Sequence, residues 1–336
     1  MQTFNRVGRS DTSLRSSFIL RSMLVALLCT STFANIAFSA NLTFGIAAKS
    51  RDDPNFIDAW QSCQTAALVD GNHCVLIGSV GAAHPRSQYE ALKQALASGQ
   101  LDAVAISVMK SDLIAPLLEK SSIPAITFDS PFSQPFEHLS NAYVGVDNLQ
   151  VGRDLAKVAK QLRPRGGILC LMTASHDTNL AARIEGIRRE LTSNENWPKN
   201  TPLSQSAGWH EANRCPWNTS DNIARALDEL STTLGEIKPD VIISVGHWPI
   251  IDAERYRTHI KPYEQSILDK QPIIIAATGK ITPDIHRLLD DKILHGVVSL
   301  SFTEMGKLSY QTMLKLVSGE KVSPFILVDN LTQLSN

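Results

Sequence analysis

Asp129 closes the apolar run Pro124-Ala-Ile-Thr-Phe-Asp129, and Arg183 lies in the helical run Ala182-Arg183-Ile-Glu-Gly186-Ile. A carboxylate and a guanidinium in separate βα repeats suit a sugar-type ligand clamped between two lobes. A neutral polyol loses its water when it is enclosed, and charge-assisted hydrogen bonds offset that loss best. In open parallel sheets ligands sit at the carboxyl ends of the strands. The segments just past those ends are residues 49–56, Ser107, Asp129-Ser130, residues 173–177, Gly246-His247-Trp248 and Thr278-Gly279. They are largely polar or aromatic, as a cleft lining should be.

The elements that must position these residues are legible as apolar, β-branched runs alternating with helix-period segments. Strands are predicted at 42–48, 74–79, 102–108 and 124–128, with helices at 55–68, 87–97 and 112–119 between them. After Tyr143-Val-Gly-Val-Asp147 the pattern restarts, with a helix at 149–162, a strand at 167–173, helices at 179–191 and 222–234, and strands at 241–245 and 272–276. This βαβα order predicts an α/β protein with two Rossmann-like parallel-sheet lobes. No low-complexity linker separates them, so several short crossings would serve as the hinge.

The first forty residues differ from the rest. Arg6, Arg9, Arg15 and Arg21 precede the apolar run Met23-Leu-Val-Ala-Leu-Leu-Cys29, and small residues run from Ala34 to Ala40, which reads as a signal peptide cleaved near Ala40. The alternative, an uncleaved anchor, has too short an apolar core. Cys29 follows Leu28 rather than a small residue, which favours a soluble periplasmic protein over a lipoprotein. Without the leader, 28 Lys+Arg face 32 Asp+Glu, so nucleic-acid binding has no electrostatic footprint. With 43% hydrophobic residues the chain buries ample core, and its length favours two domains. Cys63, Cys74, Cys170 and Cys215 would lie in an oxidising compartment. Cys63 with Cys74 is the best candidate disulfide, against four small buried thiols; no spacing among them resembles a metal site.

Several motifs are collinear with one family. Asp53-Pro-Asn-Phe56, Asp102-Ala-Val-Ala-Ile-Ser107, Ile123-Pro-Ala-Ile-Thr-Phe-Asp129-Ser130, Val144-Gly-Val-Asp147-Asn148 with Gly152-Arg153, Arg183-Ile-Glu-Gly186-Ile and Glu304-Met-Gly306 together resemble the ribose-binding-protein-like periplasmic solute-binding proteins, over residues 42 to 330. The resemblance implies the type I periplasmic-binding-protein fold. Its lobes would be residues 43–146 plus 301–324 and residues 147–300 plus 325–336. It further implies a monomer without a cofactor that closes on a monosaccharide or polyol-like ligand and delivers it to the permease of an ABC importer. Carried over by motif, Asp129 accepts hydroxyl hydrogen bonds, Arg183 donates from the opposite lobe, and Phe56 lays its ring on the sugar's C–H face. Asp53 and Ser107 add hydrogen bonds, and Gly186 leaves the Arg183 guanidinium room.

The chain departs from that pattern. Asn55 replaces a frequent second aromatic, Ser130 a frequent arginine, Trp248 an asparagine, Thr278 an aspartate and Leu300 a glutamine. Apolar surface has replaced hydrogen-bonding capacity, so plain ribose is not the expected ligand. Either His247 or Trp248 would roof the cleft, with Trp248 the better sugar platform. Each site residue has a plainer reading: Asp129 as a turn cap, Arg183 as a solvated helix charge, Phe56 as a staple for its own helix, Trp248 as a core seal. Asp147-Asn148 reads as a hinge turn and helix N-cap. Trp209, His210 and Cys215-Pro-Trp217 have no assigned role.

Catalysis is the first rival. Ser175, His176 and Asp177 are adjacent, but adjacency does not make a triad, and no Gly-x-Ser-x-Gly elbow, phosphate loop or dinucleotide fingerprint is present. A DNA-binding regulator built on the same core would need a helix-turn-helix where the leader stands. The closer rival is a periplasmic receptor whose closed form engages a membrane sensor kinase or chemoreceptor, because the binding physics is the same.

Overall fold

A computed structural model describes residues 41–174 and 177–335. The leader and the Ser175-His176 pair lie outside the described residues. The first run of elements is β1 (Thr43–Ala47), α1 (Pro54–Val69), β2 (His73–Ile77), α2 (Pro85–Ala97), β3 (Ala103–Ile106), α3 (Ser111–Leu118), β4 (Ala125–Phe128) and β5 (Tyr143–Gly145). The second is α4 (Asn148–Leu162), β6 (Gly167–Thr173), α5 (Thr178–Thr192), β7 (Trp209–Glu211), β8 (Trp217–Asn218), α6 (Ile223–Thr232) and β9 (Val241–Ser244). It continues through α7 (Ala253–Ile260), α8 (Glu264–Leu268), β10 (Ile273–Thr278), α9 (Pro283–Asp290) and β11 (Gly296–Leu300). The chain closes with α10 (Phe302–Val317), β12 (Phe325–Leu327) and β13 (Asn330–Leu334).

Two sheets result. The first has the order β12-β5-β4-β3-β1-β2 and is parallel throughout; the second has the order β13-β11-β10-β9-β6-β7, with β8 also on β6 and only β13 antiparallel. Helices cover both faces, and the central strands are accordingly apolar without alternation. Every residue of β3, β4, β9 and β10 is buried. Helix starts follow their caps. Asp53 precedes Pro54 and accepts from the Asn55 amide, Asp147 accepts from the Gln150 amide, and Thr282 caps a helix that begins at Pro283.

The chain passes between the sheets after β5, after β11 and after β12. The expected last crossing was at 324/325, yet β12 pairs with β5 in the first sheet and β13 with β11 in the second, so the switch falls between Leu327 and Asn330. A three-residue strand carries too little pattern to be seen in sequence. For the same reason the sequence does not show β7 and β8; β13, five residues long, alternates too weakly in burial to stand out as a strand. The Trp209 to Trp217 segment turns out to be the edge of the second sheet, with Trp209 buried and Arg188 held to buried Glu211 through two hydrogen bonds of 2.8 and 2.9 Å.

Cys63 and Cys74 form the expected disulfide between α1 and β2. A second disulfide joins Cys170 on β6 to Cys215, 45 residues later, and fastens the loop ahead of β8. Spacing alone did not single out this pair, because a separation that long says nothing about distance in the fold.

Gly152 and Gly186 set the approach of α4 to α5. A Cβ at Gly152 would fall on the Arg183 carbonyl oxygen, and one at Gly186 on the Leu149 carbonyl oxygen. The reason for Gly186 is therefore backbone contact between helices, not room for the guanidinium. Replacing Gly152 by Ala should force the helices apart and cost about 1–3 kcal/mol in denaturant unfolding; a loss of only a few tenths would mean that this contact is not tight.

His295, fully buried ahead of β11, accepts from the Ile274 amide at 3.0 Å through Nδ1, so its Nε2 carries the proton and donates to the Ile267 carbonyl at 3.2 Å. Burial lowers its pKa from 6.5 to about 4. The folded state holds this ring neutral, so its contribution is present above pH 6.5 and lost as pH falls toward 4. NMR titration should find the ring neutral at pH 5; a ring already protonated there contradicts the burial argument.

Candidate functional site

The carboxyl ends of β1, β4, β6, β9, β10 and β11 converge on one cavity of about 50 Å³. From the first sheet and its helices come Lys49, Asp53, Asn55, Phe56, Asp129 and Phe302; from the second come Asp177, Asn179, Arg183, Asp221, His247, Trp248, Thr278 and Leu300. That void holds a few water molecules. Polar pairs contributed by both halves face each other across the same crevice.

Asp129 is the first residue past β4 and takes the left-handed conformation with φ 57°, which aspartate tolerates better than most residues. The turn points its carboxylate into the cleft. Ser107 Oγ, past the neighbouring β3, donates to Asp129 Oδ2 at 2.7 Å, and Asn179 of α5 reaches Oδ1 at 3.4 Å from the opposite side. Tyr143 lies behind it, with its hydroxyl 3.1 Å from the carbonyl oxygens of Asp129 and Val146 and its ring folded over Gly145. Burial and then the Asp129 charge push the Tyr143 pKa up, which keeps this hydroxyl a donor.

Arg183 is 3% exposed. Its Nε donates to Asn148 Oδ1 at 2.9 Å and one terminal nitrogen donates to the Val245 carbonyl at 2.8 Å, which fixes the plane of the guanidinium. Burial lowers its pKa, and the charge of Asp129 opposes that shift. An arginine remains a cation under both influences. Asn148 also donates to Tyr143 at 3.2 Å, so one hinge amide holds the groups behind both Asp129 and Arg183.

Lys49, past β1, is the functional side chain that sequence reasoning did not single out. It is 6% exposed, with its ammonium hydrogen-bonded to Asp177 across the cleft and 3.5 Å from Asp129. Burial alone would lower its pKa, but Asp177, Asp129 and Asp221 outweigh that and hold it above the usual lysine value. Its place in the segment after the first strand was the available signal.

Asn55 Nδ2 lies 3.0 Å from His247 Nδ1, and Asp53 Oδ2 lies 3.5 Å from His247 Nε2, so the rim is also closed by polar contacts between halves. Gly279 packs so closely on Asn55 that a Cβ there would strike its side-chain oxygen. Trp248 and His247 both line the cavity, with Trp248 4% exposed. Phe56 lines it too, but its ring packs edge-on against Phe128 and Phe302 at 5.9 and 5.7 Å. Thr278 is on the wall with its Oγ1 lacking a hydrogen-bond partner. Ser107 and Ser130 do not reach the lining: Ser107 is spent on Asp129, and Ser130 is fully buried. No group of three or more metal-ligating side chains is placed to hold a metal among the described residues.

Residues 44–321 match the family model described as the periplasmic binding protein domain. The chain belongs to that family. A search of curated protein sequences finds no match. Among solved structures, an ABC transporter solute-binding protein from Burkholderia graminis C4D1M in complex with D-arabinose is 20% identical, with a TM-score of 0.68 over 87% of this chain and 95% of that one. One from Agrobacterium vitis with bound D-fucose is 18% identical, with a TM-score of 0.72 over 88% and 95%. GanP, a glucose-galactose binding protein from Geobacillus stearothermophilus, is 16% identical, with a TM-score of 0.72 over 88% and 98%. These likenesses are of fold, the type I periplasmic-binding-protein architecture.

In this periplasmic binding protein the Lys49 cation neutralises carboxylates from both halves. Lys49→Met should therefore destabilise by about 3–5 kcal/mol, because it removes one partner of a buried ion pair. The raised pKa makes the contribution fully present below the free-lysine value of 10.5 and lost as pH rises beyond it. Denaturant melts of wild type and variant should differ by a constant amount from about pH 7 to 10 and converge above that range; equal stability at pH 7 would show that the cluster contributes nothing.

Proposed function

We propose that the protein captures a sugar or sugar-like small molecule in the periplasm, between its two sheet-bearing lobes, and presents it to the permease of an ABC importer. The observation that carries this reading is the pairing of buried Asp129 and Arg183 from opposite halves on one cavity wall, beside Phe56, Trp248 and Phe302. Carboxylate and guanidinium serve hydroxyl and ring oxygens, and the aromatic and leucine surface serves C–H faces. The solved relatives bound to D-arabinose and D-fucose support a saccharide over other small molecules. The leader supplies the route to the periplasm.

Closure follows from where the polar groups stand. Each half of the crevice contributes groups whose partners belong to the other half, namely Lys49 with Asp177, Asn179 with Asp129, and Asn55 with His247. A ligand that satisfies both sets stabilises the closed state by its differential affinity. The reading is one of binding rather than catalysis, because the family and the solved neighbours are solute-binding proteins. Ribose is disfavoured, because Leu300, Trp248 and Thr278 provide an apolar wall with a single hydroxyl.

A thermal-shift panel of aldoses, ketoses and cyclic polyols should contain at least one that raises the melting temperature, as any ligand selective for the folded state does. Asp129→Ala and Arg183→Ala should each lose that shift, about 2 kcal/mol or more of binding per charged hydrogen-bonding group, while the unliganded variants still fold. Tight binding of ribose alone, or full binding by both variants, would sink the proposal.

A further inference from the structure

Resting on the reading of the cavity around Asp129 and Arg183 as a sugar site, a second compartment beside it enlarges the ligand class. This outer cavity, of about 360 Å³, lies between the segment after β1 and Gly81-Ala82-Ala83 on the first half, and the start of α6 and Arg255 of α7 on the second. Lys49, Asp53, Phe56, Asp221, His247 and Trp248 line both cavities, so the two are compartments of one cleft. The inner one, at about 50 Å³, is far smaller than the roughly 300–1,000 Å³ of small-molecule sites, and the outer one falls inside that range.

The outer walls are fastened in place. Ser50 Oγ donates to the Gly81 carbonyl at 2.6 Å, the Gly81 amide donates to Asp52 Oδ2 at 2.6 Å, and the Arg51 amide donates to the Ser79 carbonyl at 2.9 Å. On the facing side Asn222 caps α6 by accepting from the Arg225 amide at 2.9 Å. Walls set in advance reduce the ordering cost of binding. The boundary between the compartments is aromatic, because Phe56, His247 and Trp248 stand there. Trp248 is 4% exposed, with its ring folded back on Gly246 so closely that a Cβ there would strike it. Rings of this kind take the C–H faces of sugars. Beyond them the outer compartment combines small and apolar residues, Ala82, Ala83, Ile223 and Ala224, with a carboxylate from one half, Asp52, and a guanidinium from the other, Arg255. The inner compartment presents the same combination in Asp129 and Arg183, the group types that serve hydroxyls best.

We infer that the cleft takes a disaccharide. One ring is held inside by Asp129 and Arg183, the glycosidic linkage passes the aromatic boundary, and the second ring occupies the outer compartment with Asp52 and Arg255 serving its hydroxyls. A monosaccharide makes only the inner set of contacts.

The test is calorimetry and thermal shift on the full mature protein with maltose, cellobiose, lactose, melibiose, trehalose and sucrose, each beside its component monosaccharides. At least one disaccharide should bind about tenfold or more tighter than either of its components. Ala82→Trp and Ala224→Trp, exposed positions on opposite walls of the outer compartment, fill it with an indole. Each should lower the ratio of disaccharide to monosaccharide affinity about tenfold or more, and the melting temperature of the unliganded variants checks that they fold. Monosaccharides binding as tightly as every disaccharide, or an unchanged ratio in both folded variants, would overturn the inference and leave the sugar reading standing. Silence from every saccharide, in heat and in melting temperature, would remove both.

Discussion

Charge is expensive to bury, and this crevice buries a great deal of it. Lys49, Asp129, Asp177 and Arg183 are each at least nine-tenths inaccessible, and Lys49 and Asp129 are each met by a polar group of the other half. The ammonium from β1 is held by a carboxylate from the start of α5, and the carboxylate after β4 is reached by the Asn179 amide of α5. Either charge alone in a low-dielectric cleft would be driven toward its neutral form. The two halves come together in an arrangement that keeps the charges paired, and a ligand must enter that arrangement on its terms.

Much of the remaining structure serves to hold those groups at fixed positions. Gly152 and Gly186 let α4 and α5 touch backbone to backbone, which sets the height at which Arg183 leaves its helix. Asn148 spans the guanidinium and the Tyr143 hydroxyl, and Tyr143 in turn braces the carbonyl of Asp129. Ser107 orients the carboxylate itself. Disulfides lie away from the cleft, one tying α1 to β2 and the other the edge of the second sheet, so covalent fastening stabilises the lobes and leaves the crossings between sheets unstapled.

The legibility of the site follows from distance along the chain. Asp129 follows a strong apolar strand, so the strand-end rule brings it to notice without coordinates, whereas Arg183 lies inside α5 and comes to notice through its helical motif. Lys49 stands in a segment the same rule selects, yet lysine at a strand end is ordinarily a solvated charge, and only its contact with a residue 128 positions later changes its meaning. Ser107 and Ser130 show the converse. Both occupy strand ends, but one hydroxyl is turned toward Asp129 and the other is enclosed behind the turn. Phe56 likewise reaches the cavity while packing edge-on with Phe128 and Phe302 rather than lying open as a platform.

By itself the amino-acid sequence determined the repeating βα order, the parallel sheets and the family to which the chain belongs, because continuous apolar strands and capped amphipathic helices are local signals read within a few residues. Tertiary structure decided which charges meet, that Cys170 joins Cys215, that Gly186 serves a helix contact, and that the last crossing falls after Leu327. Those outcomes depend on how two separately encoded sheets face each other across a crevice. No local pattern carries that information, since the energy of a buried ion pair exists only once both partners have lost their water.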